Sequence, residues 1–214
     1  MLTYHELFIG IIQTLYMVFS SGILSIIIGT VIGIMNYITA SNNLMPNKYL
    51  YTSINLITNI LRSIPFIILM VAAIPFTRFI VGTSIGTSAA IVPLTLAATP
   101  FYARVTTNAL NNISSTLLET SVAFGASTWH VIIHILFGET RPDLIRGCTL
   151  MLINLIGYSA MAGAIGGGGL GDIAIRYGYE RFDMHAMFLT VTILIIIVQL
   201  IQYLGNAIEK HYMH

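Results

Sequence analysis

Long stretches without a charged residue divide this chain into apolar segments. No Asp, Glu, Lys or Arg occurs between Glu6 and Lys48, and this stretch exceeds the roughly 20 residues that a helix needs to cross a bilayer. Four later gaps have the same character, because a charge inside the hydrocarbon core is costly. The pattern predicts an all-α integral membrane protein, one transmembrane domain over residues 1–214, with five transmembrane helices at about residues 9–35, 59–80, 84–104, 147–166 and 185–206.

Prolines and glycines mark two features of these predicted helices. Pro65 and Pro75 lie in the second segment and predict kinks there, since proline removes a backbone donor. Arg62 lies near the beginning of the same segment, from where its side chain can extend toward the headgroups. Gly29 and Gly33 form a GxxxG spacing in the first segment, which allows close helix contact. Glycine is also frequent in membrane helices generally, and we favour that simpler explanation.

One further charge-free window, residues 120–138, is interpreted as lying outside the membrane because its first half is small and polar. Five spans then place the two termini on opposite sides. With the N-terminus outside, six Lys or Arg residues fall in inner segments and three in outer ones, which is the bias expected of cytoplasmic loops. The longest inner segment, residues 106–142, is predicted to form two short helices that Gly125 separates.

The composition agrees with a membrane protein. The 214 residues are 56% hydrophobic and 8% charged, with a mean hydropathy of +0.86, whereas a soluble domain carries about 25% charged residues. The net charge of +1 gives no footprint for nucleic acid. Cys148 is the only cysteine, which excludes an intrachain disulfide and a cysteine-built metal site.

Residues 157–179, GYSAMAGAIGGGGLGDIAIRYGY, contain a G-x-G-x-x-G spacing at Gly166, Gly168 and Gly171. A dinucleotide site would need a preceding strand in a βαβ unit, and here a predicted membrane helix precedes the motif. The sequence also lacks the phosphate-binding motif G-x-x-x-x-G-K-[ST]. The glycines are therefore interpreted as a turn at the outer end of the fourth span.

The inner segment reads ETSVAFGASTWHVIIHILFGETRP over residues 119–142. Its apolar residues recur at helical spacing, which is typical of a helix on the lipid surface as well as of one that docks on a partner. The segment resembles the EAA loop of bacterial ABC-transporter permeases, with Glu119 and Gly125 at the spacing of that family. Thr120, Ser121 and Gly138 depart from the family pattern. The resemblance implies an ATPase-coupling loop formed by Glu119, Thr120, Ser121, Gly125, Ala126, Trp129 and His130.

Residues 61–104 and 157–179 resemble, more specifically, the five-span permeases of methionine importers. This resemblance implies a transport subunit and not an enzyme: a homodimer in the bacterial inner membrane, N-terminus outside and C-terminus cytoplasmic, that imports L- and D-methionine. It implies two copies of a cytoplasmic ABC ATPase, which bind ATP and Mg, and an extracytoplasmic methionine-binding (lipo)protein. No cofactor is expected in this chain.

Two groups of residues fit the role that the resemblance implies. Polar groups in a membrane helix pair between helices or line a path, and methionine offers a flexible surface for a thioether. The predicted translocation pathway is formed by Asn154, Tyr158, Ser159 and Met161. The charged outer loop suits the docking of a binding protein, and the alternative is a plain connecting loop. The predicted docking residues are Gly168, Gly169, Asp172, Arg176 and Tyr179.

Two other function classes are alternatives. A stand-alone secondary transporter or channel for a small solute would use an intramembrane carboxylate for ion coupling, and no acid lies inside a predicted span. A membrane enzyme could use His130 and His134, which stand at i and i+4 and could hold a metal. No third ligand is evident for them, so no metal site is expected.

Overall fold

The computed structural model describes residues 2–41, 43–114, 116, 124–125, 131 and 137–212. Every regular element in these ranges is a helix, which confirms the predicted all-α class. The helices in chain order are α1 (Tyr4–Ile38), α2 (Lys48–Ser63), α3 (Phe66–Ala72), α4 (Ile74–Val81), α5 (Thr87–Asn111), α6 (Phe137–Ala162), α7 (Gly169–Ile173) and α8 (Met184–Tyr212), with wider π-helical turns over Gly163–Gly167 and Ala174–Tyr179.

The start of α1 is fixed by a reciprocal cap. The Thr3 hydroxyl accepts a hydrogen bond from the Glu6 backbone N–H at 3.3 Å, and the Glu6 carboxylate accepts one from the Thr3 backbone N–H at 2.9 Å. These bonds satisfy two donors that a helix N-terminus otherwise leaves unpaired. From this cap α1 continues for 35 residues, past both ends of the predicted span 9–35.

Helix α5 lies at the centre of the bundle, against α1, α6 and α2. It buries small and polar residues, such as Ala98, Thr106 and Ala109, because neighbouring helices surround it. Helix α8 is peripheral: only Ala186, Thr190 and Ile197 are buried among its residues. Position in the bundle thus explains why the composition of α5 is less apolar than that of α8.

Three stretches in the described ranges are long and apolar enough to cross a bilayer: α1, residues 137–167 and α8. The bent pair of α2 and α3 is a fourth if both halves belong to one span. The central helix α5 is not among them, in keeping with its small and polar residues. The five crossings expected from the charge gaps therefore stay a prediction.

The second predicted span, residues 59–80, contains parts of three helices. Helix α2 ends at Ser63, Ile64 is extended with ψ of 123°, and Pro65 precedes α3. The chain bends by 106° between α2 and α3. A second break follows at Ala73, just before Pro75. The prolines therefore mark two breaks as predicted, and the first is sharp enough to end one helix and begin another.

The GxxxG pair of α1 faces α5 at close range. A Cβ added to Gly29 would lie 2.9 Å from the carbonyl oxygen of Thr99, and one added to Gly33 would lie 2.7 Å from that of Ala103. The Thr107 hydroxyl also donates a hydrogen bond to the Gly33 carbonyl at 3.2 Å. The spacing is a helix-packing contact, so the explanation by the general frequency of glycine is wrong.

We expect the substitution Gly33→Ala to lower the free energy of unfolding by about 1–3 kcal/mol, since the new methyl group can only be accommodated by separating α1 from α5. The midpoint of thermal denaturation of the detergent-purified chain measures this effect. Gly138→Ala is the matched control, because a Cβ at Gly138 meets no atom within 4 Å. Equal midpoints for the two variants would contradict the proposed contact.

Candidate functional site

The glycine run makes a compact turn between α6 and α7. Gly166, Gly168 and Gly169 have positive φ angles of 93°, 76° and 81°, which favour glycine because other residues are strained there. The Gly169 N–H donates to the Gln13 side-chain oxygen at 2.8 Å, and the Leu170 N–H donates to the Thr14 hydroxyl at 2.9 Å. The interpretation of the run as a turn is confirmed, and the turn is held directly against α1.

A polar cluster joins the first turn of α1 to the segment after the glycine run. Arg176 forms an ion pair with Asp172 at 2.6 Å, and the Tyr177 hydroxyl donates to the Glu6 carboxylate at 2.6 Å. The bond from Tyr177, together with those from Thr3, lowers the pKa of Glu6 to about 2. The same bond raises the pKa of Tyr177. Glu6 is therefore ionised at neutral pH, and its part in the cluster is lost only as the pH falls toward that value.

The predicted docking residues differ in their exposure. Arg176 is exposed and Tyr179 is 68% exposed, whereas Asp172 and Gly168 are half-buried and Gly169 is buried. The two glycines therefore shape the backbone that presents the exposed residues. Sequence reasoning missed Tyr177, which is buried, as well as its neighbours Glu6 and Arg181. The Arg181 guanidinium lies 4.6 Å from the Tyr177 ring centroid.

Two of the four predicted pathway residues face a common cavity. Asn154 and Tyr158 line an open cavity of about 260 Å³ between α2, α3, α5 and α6. The Tyr158 ring stacks on Phe66 of α3, with centroids 4.6 Å apart and planes 12° apart. Ser159 is buried and donates to the Ile156 carbonyl of its own helix at 2.8 Å. Met161 is 47% exposed and does not line the cavity.

The structure adds Arg62 to this group. Its side chain lines the same cavity as Asn154 and Tyr158, at the end of α2 where the helix breaks. The expected extension of Arg62 toward the headgroups stays a prediction, and in the structure this exposed residue lines the cavity between the helices. A single charge within an apolar sequence is typical of a span boundary, and only the fold reveals that Arg62 borders a cavity.

Of the predicted ATPase-coupling loop, the structure describes Gly125 and its neighbour Phe124. Gly125 has a φ of +80° in a turn, and Phe124 is 88% exposed. Six predicted loop residues lie outside the described residues: Glu119, Thr120, Ser121, Ala126, Trp129 and His130. His134 also lies outside them. Among the described residues, no group of three or more His, Cys, Asp or Glu side chains could hold a metal ion.

Val131 connects this loop segment to the bundle. Its side chain is fully buried in an apolar cluster with Tyr37 near the end of α1 and Leu110 near the end of α5. Sequence reasoning did not single out Val131, although it begins the apolar run VIIHILF. The contact places Val131 against the ends of the two helices that pack most extensively on each other.

Comparison with known proteins gives close relatives over nearly the whole chain. The sequence matches the family described as "Binding-protein-dependent transport system inner membrane component" over residues 29–212. It is 45% identical over 203 residues to the "Probable D-methionine transport system permease protein MetI" of Pasteurella multocida (strain Pm70), with 95% of this chain and 94% of that protein covered. It is 49% identical over 154 residues to the "D-methionine transport system permease protein MetI" of Escherichia coli (strain K12), with coverages of 72% and 71%.

Comparison with solved structures leads to the same family as the sequence relatives. A crystal structure described as "Inward facing conformations of the MetNI methionine ABC transporter: CY5 native crystal form" matches with a TM-score of 0.96 and 45% identity, over 98% of this chain and 97% of that chain. A second, described as "Crystal structure of an amino acid ABC transporter with histidines", shares the fold at a TM-score of 0.79 and 16% identity, over 97% and 95%. These matches confirm the resemblance to the permeases of methionine importers, and the chain belongs to the family of binding-protein-dependent transport system inner membrane components.

Proposed function

We propose that this chain is the transmembrane subunit of an ATP-driven ABC importer that moves methionine across the bacterial inner membrane. The observation that carries the proposal is the similarity to the MetNI methionine ABC transporter at 45% identity and a TM-score of 0.96. The names of the curated relatives favour D-methionine as a substrate in addition to L-methionine. The long apolar helices and the family agree with a multi-pass protein of the inner membrane.

The proposed assembly contains two copies of this chain and two copies of a cytoplasmic ABC ATPase. ATP and Mg bind to the ATPase, because the sequence of this chain has no P-loop motif. A methionine-binding (lipo)protein delivers the substrate from outside. The N-terminus lies outside and the C-terminus in the cytoplasm, an orientation that the distribution of Lys and Arg favours.

The ATPase is proposed to bind the inner loop, at about residues 106–142. The positive φ of Gly125 and the exposure of Phe124 support a turn that faces outward from the bundle. The burial of Val131 against α1 and α5 supports a mechanical connection from this loop to the helices. Glu119 is proposed to cap a helix of the loop or to pair with a basic group of the ATPase.

The pathway is proposed to pass the cavity at the α2–α3 break. Asn154 and Tyr158 line this cavity, and Met161 adds an exposed thioether on the same helix. Ser159 is retained as a pathway residue only for a conformation in which α6 turns, since it is buried here. At the outer end, Arg176 and Tyr179 supply the exposed part of the proposed docking surface.

The test is uptake of radiolabelled L-methionine in a bacterial strain from which the gene for this chain has been deleted. We expect high-affinity uptake to disappear and to return when the chain is supplied on a plasmid, with unlabelled D-methionine as a competitor in a parallel measurement. An ATPase should also co-purify with the chain from native membranes. A defect in the uptake of another amino acid or of an inorganic ion, with methionine uptake intact, would contradict the substrate assignment.

The alternative is a stand-alone secondary transporter or channel. Co-purification separates the two hypotheses, because only an ABC importer requires an ATPase partner. The positions of the described acids also disfavour ion coupling, since they lie within two turns of a helix end or in loops.

A further inference from the structure

The cavity at the α2–α3 break lies halfway along the helical bundle. Ala97 and Phe101 are the α5 residues that line it. Ala97 is 10 residues from Thr87 at one end of α5 and 14 from Asn111 at the other, and for Phe101 the two separations are 14 and 10 residues. At 1.5 Å per residue, the cavity is about 15–21 Å from either end of α5. The Arg62 guanidinium in this cavity is therefore far from both ends of the central helix.

No acidic residue that the structure describes lies at this depth. Arg62 makes no hydrogen bond or ion pair with any residue that the structure describes. The described acids lie near helix ends or in the loop before α8: Glu6, Glu139, Asp143, Asp172, Glu180, Asp183 and Glu209. The remaining acid, Glu119, belongs to the predicted inner loop. In a second copy of the chain, the described acids would occupy the same positions near helix ends.

A cation without a partner at membrane depth requires compensation. Charged side chains inside a membrane face a water-filled cavity or pair with an opposite charge, and they mark the path of a substrate or ion. The other walls of this cavity are apolar or neutral, with Phe66, Phe101 and Tyr158 among them. Arg62 is exposed and lines the cavity, so an anion that enters from outside the chain can supply the compensating negative charge.

The broken helix supplies complementary groups for a small zwitterion. Helix α2 ends at Ser63, and Pro65 has no N–H to continue it, so the carbonyl groups of its last turn lack their usual helical donors. The C-terminal end of a helix carries partial negative charge and favours a cation. Interrupted helices that present such ends at mid-membrane form the substrate sites of many transporters.

We propose that Arg62 binds the carboxylate of the amino-acid substrate in this cavity, while the carbonyl end of α2 faces the substrate ammonium group and Phe66 and Tyr158 contact its side chain. The planar guanidinium can bind a carboxylate through two parallel hydrogen bonds. The amide of Asn154 can donate to the same carboxylate or accept from the ammonium group. The volume of about 260 Å³ suits a small solute. The inference rests on the proposed function of the chain as an amino-acid importer.

The experiment measures ATP-driven methionine import by the complete complex in proteoliposomes, with the binding protein present. We expect Arg62→Gln to lower the import rate at least tenfold, and Arg62→Lys to lower it less because the charge is kept. Arg78→Gln is the matched control: Arg78 is an exposed arginine on α4 whose described polar partner is Ser84, at 3.2 Å. The control should import at the rate of the unaltered complex.

Chemical restoration of the charge separates a binding role from a structural one. Arg62→Cys should import poorly, recover after reaction with an aminoethyl methanethiosulfonate, and stay inactive after reaction with the sulfonatoethyl reagent. The unaltered complex, whose Cys148 is half-buried, controls for other effects of the reagents. Recovery with both reagents, or with neither, would overturn the proposal. Loss of ATPase co-purification in both Arg62→Gln and Arg62→Lys would assign Arg62 a structural role and would also overturn it.

The outcome for the unaltered complex distinguishes the two proposals. If the unaltered complex imports no methionine, the proposed function fails whatever the variants do. If it imports methionine and Arg62→Gln imports within twofold of it, only the assignment of Arg62 fails.

Discussion

Gly125→Val is expected to lower ATP-driven methionine uptake at least tenfold, with the chain still present in the membrane at its normal level. Gly125 has a φ of +80°, and a Cβ there would meet no atom within 4 Å. No described atom therefore crowds the new Cβ, and the expected cost is backbone strain of about 1–2 kcal/mol. The turn can relieve that strain only by changing direction, which re-aims the segments on both sides of it and weakens coupling to the ATPase.

Two variants make this prediction specific. Gly82→Val introduces the same backbone strain at a φ of +83°, also in open space, at the end of α4. It should leave uptake near normal, because this turn is not part of the proposed coupling loop. Gly125→Asn should retain much of the activity, since asparagine tolerates left-handed backbone. If Gly125→Val transports as well as Gly82→Val at equal membrane levels, the loop is not the coupling element.

Gly169→Val is expected to prevent the chain from accumulating in a folded form. Gly169 is buried with a φ of +81°, and its Cβ would lie 2.7 Å from the Thr14 hydroxyl and 2.9 Å from the Met17 methyl group. Backbone strain of about 1–2 kcal/mol adds to overpacking of about 1–3 kcal/mol. The Gly169 N–H would also lose its bond to Gln13 as the turn moved away. The sum is a large share of the total stability of a typical domain.

Size-exclusion chromatography of the detergent-extracted chain, detected by a fused fluorescent protein, measures the folded fraction. Gly166→Val is the matched control from the same run: its φ is +93°, but its Cβ would meet only the Ile85 side chain, at 3.2 Å. That flexible side chain can move, so the control should lose less folded protein. A monodisperse peak of normal height for Gly169→Val would show that the turn does not require glycine there.

Features encoded in consecutive residues were predictable from the sequence. The charge-free stretches indicated the apolar parts of α1, α6 and α8, because an apolar helix in lipid needs an uninterrupted run of such residues. Helix α6 itself begins at Phe137, ten residues before the predicted span and ahead of four charged residues. The glycine run was recognisable as a turn because positive φ angles favour glycine. Pro65 and Pro75 marked breaks because proline lacks a backbone donor.

Features that depend on contacts between distant segments were not predictable in this way. Glu6 and Tyr177 are 171 positions apart, and nothing in either local pattern indicates that they form a hydrogen bond. From the sequence, the GxxxG spacing of Gly29 and Gly33 could mark a helix contact or reflect the general frequency of glycine, and only the position of α5 decides between them. Arg62 was assigned to a span end because a charge usually marks one, and the sequence did not reveal that it lines a cavity with residues of α3, α5 and α6.

The packing of Gly29 and Gly33 against α5 has a consequence for how force could travel through the bundle. Val131 packs against both α1 and α5 near one end of their contact, and at the glycine contact, further along, the two helices are too close to admit an added methyl group without movement. A displacement applied at the loop would thus move α1 and α5 together as one unit. The Pro65 break, where the chain bends by 106° between α2 and α3, interrupts the neighbouring helices beside the Arg62 cavity, and we expect relative movement to occur there.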